Sequence, residues 1–364
     1  MKKILLLSDS FKGTLSSKNI CEISTKLVKD LYNDKIILDA YAIADGGEGS
    51  LEAFKNYICG NYININSIDS EKTILNTYYL FNDFTKVAFI DSSKIIGLEN
   101  IKNKVNPLNR TSYGLGEAIK DALNKGSKKI YISLGGSSTN DGGVGLLTSL
   151  GIKFFNKNNE LTTNVLDLAD FDLSSMINLK DIEIVCLCDV NNKFIGNNGA
   201  SKVFAKQKGY SDKEIELLEE SMIRFNNLIK NKLNVDLSLI EKSGAAGGIS
   251  GALYAFLNAK LISGIDTILD LIDFKNIQDK YDYIITGEGC FDNQSLNGKV
   301  VGEIYNYLKD KEKLIILCGK SLINDDRFKV YETSKGINDF NYMKDNAQIL
   351  YKSKLNDVLS NLIL

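Results

Sequence analysis

Seven carboxylates lie in loops that directly follow predicted β-strands, and most of them have glycine beside them. They are Asp9, Asp45, Glu48, Asp141, Asp189, Glu288 and Asp292. Glycine lets the backbone approach a ligand closely and point successive N–H groups at an anion. Mg²⁺ prefers a few carboxylates together with waters and ligand phosphates. The combination predicts phosphoryl transfer from a magnesium-bound nucleotide.

One Asp-Gly pair after a strand is more often a turn or a helix cap than a ligand. Five such loops in one chain favour function, because random turns need not fall at the same strand ends. The common nucleotide motifs are incomplete. Gly319-Lys320-Ser321 follows a strand, but position 314 is leucine where a P-loop needs its first glycine.

The chain has no histidine. This excludes Ser-His-Asp and Cys-His catalysis, histidine-ligated zinc and the catalytic loop of protein kinases. A general acid or base must therefore be Asp, Glu, Lys, Tyr, Cys or a bound water. The net charge of -2 supplies no overall positive field for nucleic acid or an anionic membrane. We expect neither as a partner.

Six cysteines are scattered without a CxxC pair, which favours reduced thiols over a zinc site or a redox motif. The apolar run at residues 4–7 is too short for a signal peptide or a membrane span. We therefore expect a cytoplasmic protein.

The elements that must position the carboxylates are short apolar runs. The predicted strands that precede these loops span residues 2–7, 36–44, 129–134, 182–187 and 281–286. Helical patterns follow several of the loops. In open α/β sheets, ligands bind at the carboxyl edge of the strands.

Residues 61–95 contain three short β-rich runs separated by polar turns, which predict an antiparallel meander. The chain has 364 residues, and a single hydrophobic core usually stops growing at about 250–300 residues. We expect two domains, with the β-rich segment beginning a domain that is inserted into, or wrapped by, an α/β domain.

A series of motifs along the chain resembles the type I glycerate kinase family. The motifs lie at residues 9–13, 44–50, 106–108, 111–117, 135–143, 188–190, 207–209, 244–248 and 286–289, followed by Asp292, Gln294 and Gly298-Lys299. Each is weak alone, but together they follow the family order across nearly the whole chain.

The resemblance implies ATP-dependent phosphorylation of D-glycerate to 2-phosphoglycerate or 3-phosphoglycerate. It also implies an α/β fold of two α/β domains with the active-site cleft between them. We assign a Rossmann-like domain with a mostly parallel sheet to residues 1–60 and 265–364. The second, mixed α/β domain is inserted at residues 61–264. The expected partners are D-glycerate and ATP, and the protein would be a monomer or a homodimer.

Chemistry suggests the roles. Asp9 or Asp45 would accept the proton of the substrate hydroxyl, and Lys12 would pair with the substrate carboxylate or the transferred phosphate. The predicted Mg²⁺ ligands are Glu48, Asp141, Glu288 and Asp292. The predicted nucleotide-binding residues are Gly46, Gly47, Gly135, Gly136, Gly244, Gly247, Gly248 and Lys299. The predicted substrate-binding residues are Ser10, Ser137, Ser138, Thr139, Asn140 and Asp189.

Four positions depart from the family pattern. Val105 and Cys290 stand where the family commonly has arginine, and Asn191 and Lys193 alter an Asp-Asn-Pro segment. Arginine binds carboxylates and phosphates bidentately, so these changes concern the substrate more than the fold. Two other functions are alternatives to a glycerate kinase. One is a Mg²⁺-dependent phosphatase or hydrolase, and the other is a non-catalytic binder of small hydroxy acids.

Overall fold

The computed structural model of the protein describes residues 1–43, 50–103, 105–296 and 299–363. Its contacts divide the chain into two compact units. The first unit is Met1–Asp45 with Ile265–Leu364, and the second unit is Gly46–Gly264. No helix in the described ranges is long and apolar enough to cross a membrane.

The strands are β1 (Lys2–Ser8), β2 (Ile36–Ala42), β3 (Asn61–Ile68), β4 (Ile74–Asn82), β5 (Val87–Asp91), β6 (Lys129–Ser133), β7 (Lys153–Asn156), β8 (Leu161–Thr162), β9 (Leu168–Asp172), β10 (Glu183–Leu187), β11 (Lys260–Ile262), β12 (Tyr283–Gly287), β13 (Cys290–Phe291), β14 (Leu314–Cys318), β15 (Lys320–Ser321) and β16 (Lys329–Glu332). The α-helices are α1 (Ser17–Leu31), α2 (Ser50–Ile58), α3 (Ser93–Ile96), α4 (Tyr113–Asn124), α5 (Val144–Ser149), α6 (Ala200–Phe204), α7 (Asp212–Leu233), α8 (Ala245–Leu257), α9 (Gly264–Leu271), α10 (Phe274–Ile277), α11 (Val300–Tyr307), α12 (Phe340–Asp345) and α13 (Ala347–Ile363).

The first unit is built on a parallel sheet with the strand order β16-β14-β12-β1-β2. Residues 4–7 of β1 and all of β14 are buried, as expected for central parallel strands covered on both faces. The chain runs from β1 to β2 in one direction and from β12 through β14 to β16 in the other. This reversal between β1 and β12 is a topological switch point, and its carboxyl edge is where ligands bind in such sheets.

The second unit contains a six-stranded sheet with the order β11-β10-β6-β5-β4-β3. The pairs β3–β4 and β4–β5 are antiparallel, which confirms the predicted meander. The strands β5, β6, β10 and β11 are parallel neighbours, so loops that follow them lie at one edge. A smaller antiparallel sheet has the order β8-β7-β9.

Local sequence signals explain several helix ends. Ser211 and Glu214 form a capping box at the start of α7. The start of α8 is unusual, because Ala246, Gly247 and Gly248 have left-handed backbone angles before the regular helix continues. Glycine adopts this conformation without steric cost, which explains the glycine-rich sequence there.

Candidate active site

The carboxyl edge of the first unit's sheet holds a cavity of about 370 Å³. The loop after β1 and the loop after β12 line it together, at the switch point. The predicted site residues that line this cavity are Asp9, Ser10, Lys12, Glu288, Asp292 and Lys299. Residues far apart in sequence therefore meet at the edge that the strand–loop pattern predicts.

Backbone contacts hold these loops in place. Asp9 donates its N–H to the Gly287 carbonyl at 3.0 Å, and Gly319 donates to the Glu288 carbonyl at 3.1 Å. The short strands β13 and β15 pair with each other, and Cys290 and Lys320 of that pair line the cavity. A Cβ atom on Gly319 would lie 2.4 Å from the Gly289 carbonyl oxygen, so the close approach requires glycine. Backbone hydrogen bonds and close backbone contacts therefore fix the loops that line this cavity.

Asp9 and Lys12 differ in exposure. The Asp9 side chain is half-buried, and its Oδ1 accepts the Ser10 N–H at 2.6 Å. Lys12 is exposed in a tight turn in which Phe11 and Leu15 exchange backbone hydrogen bonds. Asp9 and Lys12 both line the cavity, where a carboxylate and an ammonium group can act on a substrate.

Glu288 is buried, and burial raises the pKa of its carboxyl group. A hydrogen bond from the Ser295 side chain and the positive charges of Lys299 and Lys12 oppose that rise in pKa, and the charge of Asp292 adds to it. Among the described residues, Glu288 Oε1 has no hydrogen-bond partner. Asp292 Oδ1 accepts the N–H groups of Gln294 and Ser295 at 2.8 and 3.2 Å. A buried oxygen without a partner beside a second carboxylate can accept a cation.

An apolar wall completes this cavity. Its side chains come from the first loop and from α12 and α13, and they are Phe11, Leu15, Phe340, Met343, Ala347 and Leu350. Sequence analysis missed this wall. The two helices lie more than 300 residues from β1 along the chain. Nothing in the local pattern of the tail distinguishes this wall from an ordinary core face.

A separate cavity of about 210 Å³ lies at the carboxyl edge of the second unit's sheet. The predicted residues Gly135, Gly136 and Ser137 line it after β6, and Asp189 lines it after β10. The wall also contains Ala245, Ala246 and Lys208. Four of the predicted substrate- and nucleotide-binding residues therefore line this cavity.

The next three polar side chains of the same loop are buried in the unit. Ser138 Oγ forms hydrogen bonds with the Ile96 carbonyl oxygen and with Ser70 Oγ. Asn140 Nδ2 donates to Ser201 Oγ at 3.2 Å, and Thr139 is fully buried. Ser137 is thus the loop hydroxyl that lines the 210 Å³ cavity.

Asp141 binds backbone groups of the fold. Its carboxylate accepts the N–H groups of Ser112, Gly143 and Gly145 at 2.8, 3.0 and 3.2 Å. It also accepts the Ser112 hydroxyl at 2.8 Å. These donors belong to the first turns of α4 and α5, where a negative charge is favourable. In the structure, Asp141 caps two helices.

The glycines at 244–248 pack closely against neighbouring backbone. A Cβ atom on Gly247 would lie 2.2 Å from the Thr139 carbonyl oxygen, and one on Gly244 would lie 2.1 Å from the Lys193 carbonyl oxygen. Gly244 donates its N–H to the Asn192 carbonyl at 2.9 Å. Close packing alone therefore accounts for glycine at Gly244 and Gly247.

Lys208 is a site residue that sequence analysis missed. Its side chain is 4% exposed, and its Nζ donates to the Thr139 carbonyl at 2.6 Å and to Ser137 Oγ at 3.1 Å. Burial lowers the pKa of this ammonium to about 7, with Arg110 acting in the same direction and Asp141 against it. The signal in the sequence was the Gln207-Lys208-Gly209 motif, to which no role was given.

Four predicted residues lie outside the described part of the chain: Asp45, Gly46, Gly47 and Glu48. Within the described ranges, no group of three or more acidic or cysteine side chains is arranged to hold a metal ion. None of the six cysteines, all of which lie in the described ranges, forms a disulfide bond.

Each unit of this α/β protein thus has a cavity at the carboxyl edge of its parallel strands. Residues 4–355 match the model of the glycerate kinase family. The glycerate 2-kinase of Escherichia coli K12 is 36% identical over 333 residues, covering 89% of this chain and 86% of that relative. A glycerate kinase of Bacillus cereus is 35% identical, covering 82% and 79%. The chain belongs to the glycerate kinase family.

A solved structure agrees with this assignment. The crystal structure of a putative glycerate kinase 2 from Salmonella typhimurium LT2 superposes with a TM-score of 0.85 at 31% sequence identity. The match covers 99% of this chain and 98% of that structure. The α/β fold with parallel sheets is therefore that of a known family structure.

Proposed function

We propose that this protein is a type I glycerate kinase that transfers the γ-phosphoryl group of ATP to a hydroxyl of D-glycerate. The products would be ADP and 2-phosphoglycerate or 3-phosphoglycerate. Family membership supports the reaction. The observation that carries the proposal is the cavity at the switch point of the first unit, where Asp9, Lys12 and Glu288 meet.

ATP binds in the 370 Å³ cavity in this proposal. Small-molecule sites usually have volumes of about 300–1,000 Å³ and combine an apolar wall with a few polar groups. The wall from α12 and α13 offers an apolar face for the base. Lys12, Lys299 and Lys320 line the same cavity and offer positive charge to the phosphates.

Glu288 and Asp292 would hold Mg²⁺, together with phosphate oxygens and water. The unpartnered Glu288 oxygen fits a cation, and Mg²⁺ commonly takes only one or two protein carboxylates. When bound, the ion neutralises charge that develops on the transferred group. Glu48 was predicted as a further ligand and lies outside the described residues.

Asp9 would accept the proton from the attacking hydroxyl, and Lys12 would stabilise the negative charge of the transferred phosphoryl group. Asp45 is the alternative proton acceptor, and it lies outside the described residues. Phosphoryl transfer depends more on positioning and charge than on a strong base, so a carboxylate suffices. Ser10 lines the same cavity and would bind a substrate oxygen.

The predicted two-domain organisation, with the cleft between the domains, remains part of the proposal. Closure of two domains would exclude water from the phosphoryl group and so suppress ATP hydrolysis. We further propose a cytoplasmic enzyme, in keeping with described cysteines that form no disulfide bond, and a monomer or a homodimer.

The test is incubation of the purified protein with Mg-ATP and D-glycerate, with products followed by phosphorus NMR. A 2-phosphoglycerate or 3-phosphoglycerate signal is expected and identifies the reacting hydroxyl. Lys12→Ala should lower kcat strongly. Lys18→Ala is its control, because Lys18 is exposed on α1 and pairs only weakly with Glu22 at 3.8 Å.

Three results would contradict the proposal. Folded protein that leaves both ATP and glycerate intact would show a different substrate. Release of phosphate from a phosphorylated acid without ATP would favour the hydrolase alternative. Binding of glycerate without any turnover of ATP would favour the non-catalytic binder.

A further inference from the structure

The buried ammonium group of Lys208 has two neutral partners. They are the Thr139 carbonyl and the Ser137 hydroxyl. None of the ion pairs formed by the described residues includes Lys208. Moving an ammonium ion out of water costs several kcal/mol unless an opposite charge compensates it. An anion bound beside Lys208 would therefore stabilise its charged form.

Neighbouring charged groups make an anion beside Lys208 still more favourable. Arg110 is also buried, and its guanidinium donates to the Lys208 carbonyl at 2.6 Å. Asp141 is the carboxylate that acts on Lys208, but its oxygens already accept four hydrogen bonds from Ser112, Gly143 and Gly145. Glu71, a second buried carboxylate, acts on Arg110. The carboxylate that acts on Lys208 is thus one whose hydrogen-bonding capacity is already used by the fold.

Lys208 lies on the wall of the 210 Å³ cavity in the second unit. An ammonium group has three hydrogens, and the two neutral partners use two of them. Ser137 lies on the same wall and has its hydroxyl hydrogen available, because its oxygen accepts from Lys208. Asp189, an exposed carboxylate, also lines the cavity.

We propose that this cavity binds the carboxylate of a small hydroxy acid, with Lys208 as its counter-ion and Ser137 as a second donor. Asp189 accepts a hydrogen bond from a hydroxyl of the same molecule. Lys208 is then a specificity-determining residue. This proposal rests on the proposed function in one respect, since it takes D-glycerate as the acid.

The size of the cavity favours an acid over a nucleotide. A volume of about 210 Å³ lies below the about 300–1,000 Å³ of most small-molecule sites. A three-carbon acid fits such a space, whereas a nucleoside triphosphate does not. The larger cavity of the first unit has the apolar wall that a nucleotide base requires.

The experiment compares Lys208→Met, Lys208→Arg and Lys206→Met with the wild-type enzyme. Lys206 is a matched control, because it is two residues away and pairs with Asp212 on the surface. For Lys208→Met we expect the KM for D-glycerate to rise roughly 10- to 100-fold, as for loss of a charged hydrogen bond. The KM for ATP should stay within about twofold. Lys208→Arg keeps the charge and should recover part of the affinity.

Calorimetric titration of the ATP-free protein with D-glycerate supplies a readout without catalysis. Binding by the wild type that is lost in Lys208→Met but kept in Lys206→Met supports the site. A rise in the KM for ATP alone would place a nucleotide there and overturn the proposal. A Lys208→Met protein that is less thermally stable but binds glycerate with unchanged affinity would also overturn it. Lys208 would then stabilise the loop without binding the acid.

This outcome is separable from that of the proposed function. If the wild type does not phosphorylate D-glycerate, the proposed function fails. The same titration with D-lactate and glycolate would still test the cavity. Loss of their binding in Lys208→Met supports an acid site. Equal binding of these acids by the wild type and Lys208→Met contradicts an acid site at Lys208.

Discussion

Replacing Asp141 distinguishes the role predicted from its sequence context from the role that the structure gives it. Asp-Gly-Gly after a strand predicted a magnesium ligand, whereas the folded carboxylate accepts hydrogen bonds from Ser112, Gly143 and Gly145. The Ser112 hydroxyl in turn accepts the Leu146 N–H at 2.9 Å, so the network ties α4 to α5.

The magnitude follows from the donors. Asp141→Ala leaves three buried backbone N–H groups and one hydroxyl without their acceptor, at about 1–3 kcal/mol for each unsatisfied donor. Water in the adjacent cavity of about 50 Å³ can replace part of the loss. We expect the free energy of unfolding to fall by about 4 kcal/mol, a large share of a typical 5–15 kcal/mol. Asp141→Asn keeps one acceptor oxygen and should cost about 2 kcal/mol.

Urea unfolding followed by circular dichroism measures this effect, since the chain has no tryptophan. Asp83→Ala is the control, because Asp83 is an exposed aspartate of the same unit and should change stability by less than about 0.5 kcal/mol. If Asp141→Ala unfolds at the same urea concentration as the wild type but needs more Mg²⁺ for activity, Asp141 is a metal ligand and the capping argument is refuted.

Five further measurements test other parts of the structure. The pKa of about 7 makes Lys208 neutral above neutral pH, so the KM for D-glycerate should rise from about pH 6 to about pH 8.5 in the wild type but not in Lys208→Arg. Because the pKa of Lys208 is lower in the folded protein, the folded protein binds fewer protons than the unfolded chain between about pH 7 and pH 10. The contribution of Lys208 to the free energy of unfolding should therefore rise with pH in that window, and urea unfolding measures it. Gly319→Ala should raise the KM for ATP about tenfold in steady-state assays, because the new Cβ would displace the Gly289 carbonyl. Leu355→Ala removes a buried side chain of α13 and should lower the unfolding free energy in urea by about 3 kcal/mol. Ser211→Ala removes the cap of α7 and should cost about 1 kcal/mol in the same urea assay while kcat is unchanged.

The sequence predicted those parts of the fold that local patterns determine. Apolar runs followed by polar glycine-rich loops located β1, β6, β10 and β12, and the meander follows from alternation and turns. Parallel strands bring their carboxyl ends to one edge, so the meeting of Asp9 with Glu288 could be expected before any coordinates.

The features that the sequence did not predict depend on distant contacts. A carboxylate beside glycine suits a metal site and a helix cap equally well, and only the contact between Asp141 and Ser112 distinguishes them. Lys208 looks like a surface lysine in a polar segment, because its burial depends on Thr139 and Ser137 from another element. Such partners are set by tertiary packing and leave no local signature.

The departures from the family pattern can also be placed in the fold. Cys290, which stands where the family commonly has arginine, is the register partner of Lys320 in the β13–β15 pair, and both residues line the 370 Å³ cavity. Positive charge therefore remains on the wall where an arginine would lie. An ammonium group attracts phosphate as a point charge but cannot bind it bidentately. The change at Cys290 should accordingly weaken the geometric selection of the ligand more than its overall affinity, while the lysines of this cavity still attract a polyanion.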